Sequence, residues 1–236
     1  EYDVTGDVTT LGGAGNSTPR TADSEVVRRL RAAGAVIVGR TTMPEFGQFP
    51  FTESLATGVT RNPFDLDRSP GGSSGGSAVA VATGTVPVAL GADGGGSIRI
   101  PASACGLVGL KPTRGRISVA PLSQHWYGLV VLGGMSRSVR DSALLLDVIS
   151  GSTPVDRWSV PPPREPFAAV AAREPGTLRI AWSTKCVTPG VDTDPEITAA
   201  TEQVARALVR LGHRVHRTAP RWPVATDAFL PQFYGG

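Results

Sequence analysis

Apolar positions in this chain fall into spaced runs that suit helices and short continuous runs that suit strands. Thr21-Ala22-Asp23-Ser24-Glu25 offers hydroxyl and carboxylate caps to a helix. Its Val26, Val27, Leu30 and Ala33 share one face, and Gly34 ends it. Ala35–Gly39, AVIVG, has the length and composition of a buried strand, so helix, glycine and strand together predict half of a parallel-sheet unit. The alternation returns downstream. Ser74–Thr83 predicts a helix, Val86–Gly91 a buried strand and Ser97–Ala104 the start of another helix. Ser138–Ser150 predicts an amphipathic helix with Val139, Ala143, Leu146 and Ile149 near one face and Gly151 as its cap. Beyond an irregular, proline-rich excursion at 152–176, Leu178–Trp182, Asp194–Leu211 and Arg214–Arg217 predict strand, helix and strand. Glu1–Thr18 and Thr41–Thr60 lack a period and predict loops, the first with one short strand, and Arg61–Asp65 predicts a turn.

Composition narrows the function more than the fold. A chain of 236 residues can bury a substantial core. With 29 glycines and 20 prolines, it favours many tight turns on an α/β scaffold over a helical bundle. The net charge is only +3, and arginines scatter along the chain without forming a run, so no nucleic-acid partner is expected. Two cysteines and three histidines in no ligand spacing argue against a metal. There is no run of about 18 apolar residues, so no membrane span is expected, and no signal peptide is visible. The expected compartment is the cytoplasm.

The chemistry concentrates in Ser69–Pro101, where two Ser/Gly clusters flank the apolar spacer AVAVATGTVPVAL. Gly/Ser runs are ordinarily flexible linkers. Here the first cluster passes directly into the small apolar residues Ala78–Ala82, and the second into Ile98-Arg99-Ile100-Pro101, so both belong to a core. Glycines let backbone N–H groups turn inward toward a bound oxygen, and serine supplies a hydroxyl that attacks a carbonyl or relays a proton.

Arg68–Val79, RSPGGSSGGSAV, with Gly91–Pro101, GADGGGSIRIP, resembles the amidase signature family of hydrolases. Gly39–Gly47, Arg61–Asp65, Cys105–Gly115 and Met135–Gly151 look like the flanking blocks of that family in its order, which sets 39–151 as the signature core. The resemblance implies an α/β fold, a mixed β-sheet core sandwiched by α-helices, with 1–236 as one partial domain. It implies a Ser–Ser–Lys triad: Ser97 as nucleophile and Ser73 as relay, 24 positions apart, with a cis peptide bond before Ser73. Ser74 would support the relay. Gly94, Gly95 and Gly96, with the Ser97 N–H, would form the oxyanion hole. Asp93 and Arg99 would be a structural pair shaping that loop. The implied reaction is hydrolysis of a linear carboxamide, a small-molecule substrate, through an acyl-enzyme and without a cofactor; a homodimer is left open.

Two positions depart from the family. Counting back from Ser73 places its lysine just before Glu1, so neither Lys111 nor Lys185 is expected to be the base, and this span alone is expected to show little turnover. Gly94 stands where the family often has threonine or isoleucine. Two other readings stay open. One is the A subunit of glutamine-dependent aminoacyl-tRNA amidotransferase, against which Ile100 stands, since that subunit usually has glutamine there. The other is a catalytically incomplete binding scaffold. His125 with Ser97 and Asp93 invites a Ser–His–Asp reading, but a lone loop histidine is weak support for it. Cys105, between Ala104 and Gly106, reads as a buried inert thiol, and Trp126 and Tyr127 read equally as pocket lining or ordinary packing.

Overall fold

The structure, a computed structural model, describes residues 1–186, 188, 190–219 and 226–235. Two compact units divide the chain, Glu1–Ala172 and Arg173–Gly236.

The first unit is built on strands β3 (Val88–Asp93), β4 (Val108–Leu110) and β5 (Val131–Ser136), in the order β3-β5-β4 with both pairings antiparallel. A separate two-residue hairpin pairs β1 (Glu53–Ser54) with β2 (Gly58–Val59). Helices α1 (Glu25–Ala32) and α4 (Val139–Ile149) bury Val26, Leu30, Leu145, Leu146 and Ile149 with Ala92, Leu132 and Ile117. Helices α2 (Gly75–Ala82) and α3 (Arg99–Ala104) contribute Ala78, Ile98 and Ala102 to a second cluster around Met135. Leu132 and Met135 point to opposite sides, as the two-residue period of a strand requires, so β5 is the layer both clusters share. Burying Ile98 or Met135 stabilises by roughly 1.5–3 kcal/mol each. Helix α5 (Phe167–Ala171) starts on Asp147, whose carboxylate accepts the N–H groups of Phe167 and Ala168 at 2.7 and 2.9 Å.

The second unit pairs β6 (Arg179–Trp182) with β7 (Arg214–Arg217) in parallel through α6 (Pro195–Arg210), and ends in α7 (Thr226–Gly235). Asp194 caps α6 by accepting the Glu196 N–H at 2.8 Å, and Pro195 opens it. This strand–helix–strand unit matches the periodicity reading closely.

Elsewhere the structure corrects the reading. Ala35–Gly39 is not a strand. A strand needs a hydrogen-bonding neighbour, none of the described residues supplies one, and Val36 and Val38 stand 82% and 73% exposed while Ile37 alone packs inward. The expected parallel unit after α1 is therefore absent, and Ala33 lies exposed beyond the last buried turn. Val139 is also exposed, because the first residue of α4 precedes the stripe formed by Ala143, Leu146 and Ile149. The strand expected at 86–91 runs from Val88 to Asp93 and so delivers its last residue to the second serine cluster. Strand β5 was not expected at all.

Arg29 ties α1 to the end of α4. Its Nη1 donates to the carbonyls of Ile149, Ser150 and Gly151, and its Nε to Glu25 at 2.8 Å. These carbonyls end a helix without partners of its own, so a guanidinium there meets both their lone pairs and the negative dipole end. Arg29→Ala is expected to cost about 2–3 kcal/mol, the range for hydrogen bonds to a charged group. A melting temperature lowered by several degrees would show it, and an unchanged midpoint would mean that water replaces the guanidinium freely.

Candidate active site

The two Ser/Gly clusters meet because α2 and the turn after β3 start side by side. The Ser74 N–H donates to the Ser97 carbonyl at 3.1 Å. The Ser74 hydroxyl reaches the Ala92 backbone, accepting from its N–H at 3.4 Å and standing 3.5 Å from its carbonyl. Ser73 and Ser74 are buried, and Ser97 is half-buried at the mouth of the turn. The Gly72–Ser73 peptide is cis, at the position the resemblance assigns. Thr52, itself buried, donates to the Gly71 carbonyl at 2.8 Å just ahead of it.

Asp93 shapes the turn 94–98. It is fully buried and accepts from the N–H groups of Gly96 at 2.8 Å and Ile98 at 3.2 Å. Arg99 Nε and Nη2 close a two-pronged pair on it, both at 2.8 Å. Burial alone would raise the Asp93 carboxyl. The Arg99 guanidinium and the N–H groups of Ile98 and Arg99 outweigh it and hold the carboxyl below its ordinary value. Asp93 and Arg99 are thus an ion pair whose buried carboxylate holds the turn.

The same bonds revise one expectation. The Gly96 N–H is committed to Asp93 and is not turned toward a substrate oxygen. The N–H groups of Gly94, Gly95 and Ser97 meet no acceptor among the described residues. The N–H groups of Gly94, Gly95 and Ser97 are thus the ones left open in this turn, with Gly96 holding its shape.

The resemblance also implies contact between the Ser73 and Ser97 hydroxyls. Among the described residues neither forms a hydrogen bond; the Ser73 hydroxyl faces Gly47, where a Cβ would lie 3.3 Å from its Oγ and 3.0 Å from the Glu1 carboxylate. Residue 1 therefore lies beside Ser73. Tyr2 follows, its hydroxyl donating to the Gly91 carbonyl of β3 at 2.6 Å. Nothing in the local sequence signals this tie, since a lone tyrosine in a polar loop has no period.

The remaining candidates separate cleanly. Asp93 is saturated by Arg99 and its own turn, so it orients no histidine, and a Ser–His–Asp arrangement is absent among the described residues. Burial pushes the His125 imidazole below its ordinary value; with Arg114, Asp156 and Trp158 it lines a cavity of about 20 Å³, room for one water and far too small for a substrate. Cys105 is buried with its thiol pushed up by desolvation, which makes it unreactive. No group of three metal-ligating side chains occurs among the described residues.

Comparison with known proteins settles the family. The model of the family described as Amidase matches residues 1–234. The chain belongs to the amidase signature family. The Mycobacterium tuberculosis protein named as amidase AmiB2 is 54% identical over 238 residues, covering 100% of this chain and 50% of that protein. A solved 6-aminohexanoate cyclic dimer hydrolase with its substrate superimposes at a TM-score of 0.93 and 42% identity, over 98% of this chain and 50% of that one. A bacterial aryl acylamidase of the amidase signature family gives 0.87 and 31%, over 98% and 49%. The chain thus spans about half the length of the curated relatives it matches. Its fold class, an amidase signature α/β fold with mixed sheets and helices, is the one these neighbours share.

Proposed function

We propose that the protein hydrolyses the C–N bond of a small carboxamide through an acyl-enzyme on Ser97. The observation that carries this reading is the joint of the two serine clusters, Ser74 N–H to Ser97 carbonyl, which sets a half-buried hydroxyl beside three uncommitted backbone N–H groups. The Ser97 Oγ attacks the carbonyl carbon, and its proton passes through Ser73 to a base. The N–H groups of Gly94, Gly95 and Ser97 hold the oxygen as it gains charge, each such donor being worth about 10²–10³ in turnover. The C–N bond then breaks, the amine leaves with the proton, and water releases the acid from the ester. The base in this reading is the lysine of the family's triad; the Ser73 hydroxyl that would pass it the proton faces Gly47, as does the Glu1 carboxylate. A neutral amine desolvated there accepts a proton readily. No step calls on a metal or cofactor. The substrates of the named relatives, a 6-aminohexanoate cyclic dimer and aryl amides, set the range to screen. No described helix is long and apolar enough to cross a membrane, which fits a cytoplasmic enzyme.

A fluorophosphonate probe tests the reading. Incubated with the complete gene product, it should attach to Ser97, identified by peptide mass. Ser73→Ala should slow labelling by about 10²–10⁴-fold, the usual contribution of a positioned proton-transfer group. Attachment elsewhere, or none at all, would sink the mechanism.

A further inference from the structure

The turn at 125–128 brings the Trp126 ring close to Gly94, the first residue of the serine turn. Trp126, Tyr127 and Gly128 have φ of 49°, 49° and 78°, a left-handed run that two bulky aromatic residues adopt only where their surroundings hold them there. What holds them is visible. The His125 carbonyl accepts from the Gly128 N–H at 3.0 Å, and a Cβ at 128 would overlap the Trp158 ring. Trp158 is itself flanked by the guanidiniums of Arg114 and Arg157, 5.2 and 5.3 Å from its centroid. The Arg157 N–H donates to the Ser123 carbonyl at 2.8 Å, and Asp156 accepts from Val119 at 2.9 Å. The first part of the 152–176 excursion is thus a brace for this turn.

The braced turn sets Trp126 against Gly94. A Cβ at position 94 would lie 3.2 Å from the Trp126 Cε3 and 3.2 Å from Val130 Cγ2. The γ atoms of a threonine or isoleucine would add to a contact that is already tight. A side chain at 94 would therefore press on the indole and on Val130 together, and each would have to give by a few tenths of an ångström.

We propose that Trp126 is a specificity-determining residue: its half-buried ring replaces the missing side chain at 94 as the wall beside the oxyanion donors and selects amides that carry an apolar group next to the scissile carbonyl. This rests on the amide-hydrolase reading above. Tyr127, next in the chain, is exposed, and Arg99, the charge flanking the turn, is neutralised by Asp93. The wall thus offers packing area and no unpaired charge to a substrate.

The test uses the complete gene product, a pair of anilides that differ only in an acetyl or hexanoyl acyl chain, and probe labelling of Ser97 on the same samples. Trp126→Ala is expected to lower kcat/KM for the hexanoyl anilide about tenfold more than for the acetyl anilide, mainly through KM, with Trp126→Phe recovering most of the difference. Gly94→Thr should lose Ser97 labelling, and the Gly94→Thr/Trp126→Ala pair should regain it, a non-additivity that their close contact requires. Equal losses on both anilides, or a double variant no better than Gly94→Thr, would overturn the proposal. If Trp126→Ala does not fold, Trp126→Gln, which keeps a long side chain and removes the apolar ring, decides: an acyl preference identical to that of the unsubstituted protein overturns the proposal. Failure of the unsubstituted protein both to label at Ser97 and to turn over either anilide removes the hydrolase reading and this inference together. Intact labelling with an unchanged acyl preference removes this inference alone.

Discussion

Ser97→Ala should abolish amide turnover, by at least about 10⁴-fold, and leave the fold as stable as before. Both halves of the expectation come from the same geometry. In the proposed mechanism this hydroxyl is the attacking atom, so no neighbour substitutes for it. It also forms no hydrogen bond among the described residues, so removing it leaves no buried partner stranded, and the stability change should stay within about 0.5 kcal/mol. Steady-state rates on an anilide and a thermal melt of the same preparation check the pair. Turnover surviving in Ser97→Ala would move the nucleophile elsewhere. A collapsed melt would mean that Ser97 is structural and that its loss says nothing of chemistry.

Asp93→Asn should behave in the opposite way, losing stability and activity together. The buried carboxylate serves three backbone N–H groups, those of Gly96, Ile98 and Arg99, and both prongs of the Arg99 guanidinium. An amide in its place offers one acceptor oxygen and turns an NH₂ toward groups that are donors. The expected cost is about 2–3 kcal/mol, less than for a wholly buried pair because the Arg99 side chain is half exposed and reaches water. The turn carrying the Gly94 and Gly95 donors should then lose its set, with turnover falling about 10²–10³-fold. Acid adds a second reading of the same bond. The Asp93 carboxyl is held below its ordinary value of 3.8, so its stabilisation is complete above that pH and disappears as pH falls through the lower folded value. Stability of the unsubstituted protein should therefore fall through this window on acidification, and the Asp93→Asn protein should lack that component. Parallel acid titrations of the two proteins would contradict the assignment.

How much of this was legible in the residues depended on range. The two Gly/Ser clusters stand out beside apolar segments at short range, but Ser73, Ser97, Asp93 and Arg99 were singled out within and beside them by their resemblance to the amidase signature blocks. Helices α4 and α6 are legible because their burial repeats every three or four residues. Strand β5 was missed because Gly133 and Gly134 sit at its centre, where glycine ordinarily weakens a strand. Here a Cβ at 133 would overlap the Leu110 carbonyl and one at 134 would overlap Leu145, so only glycine lets the three-stranded sheet and α4 approach this closely. Ala35–Gly39 was misread for a related reason: an apolar run says that burial is favourable, not that a partner strand is present. The Trp126–Gly94 contact joins positions 32 apart and leaves no trace in either local pattern.

The tight contact between the indole and position 94 also bears on descent. A side chain entering at 94 needs the ring and Val130 to yield, so under the proposal a bulkier residue at 94 arrives more easily in a chain whose residue 126 is already smaller. Related chains should then hold a large residue at one of the two positions more often than at both.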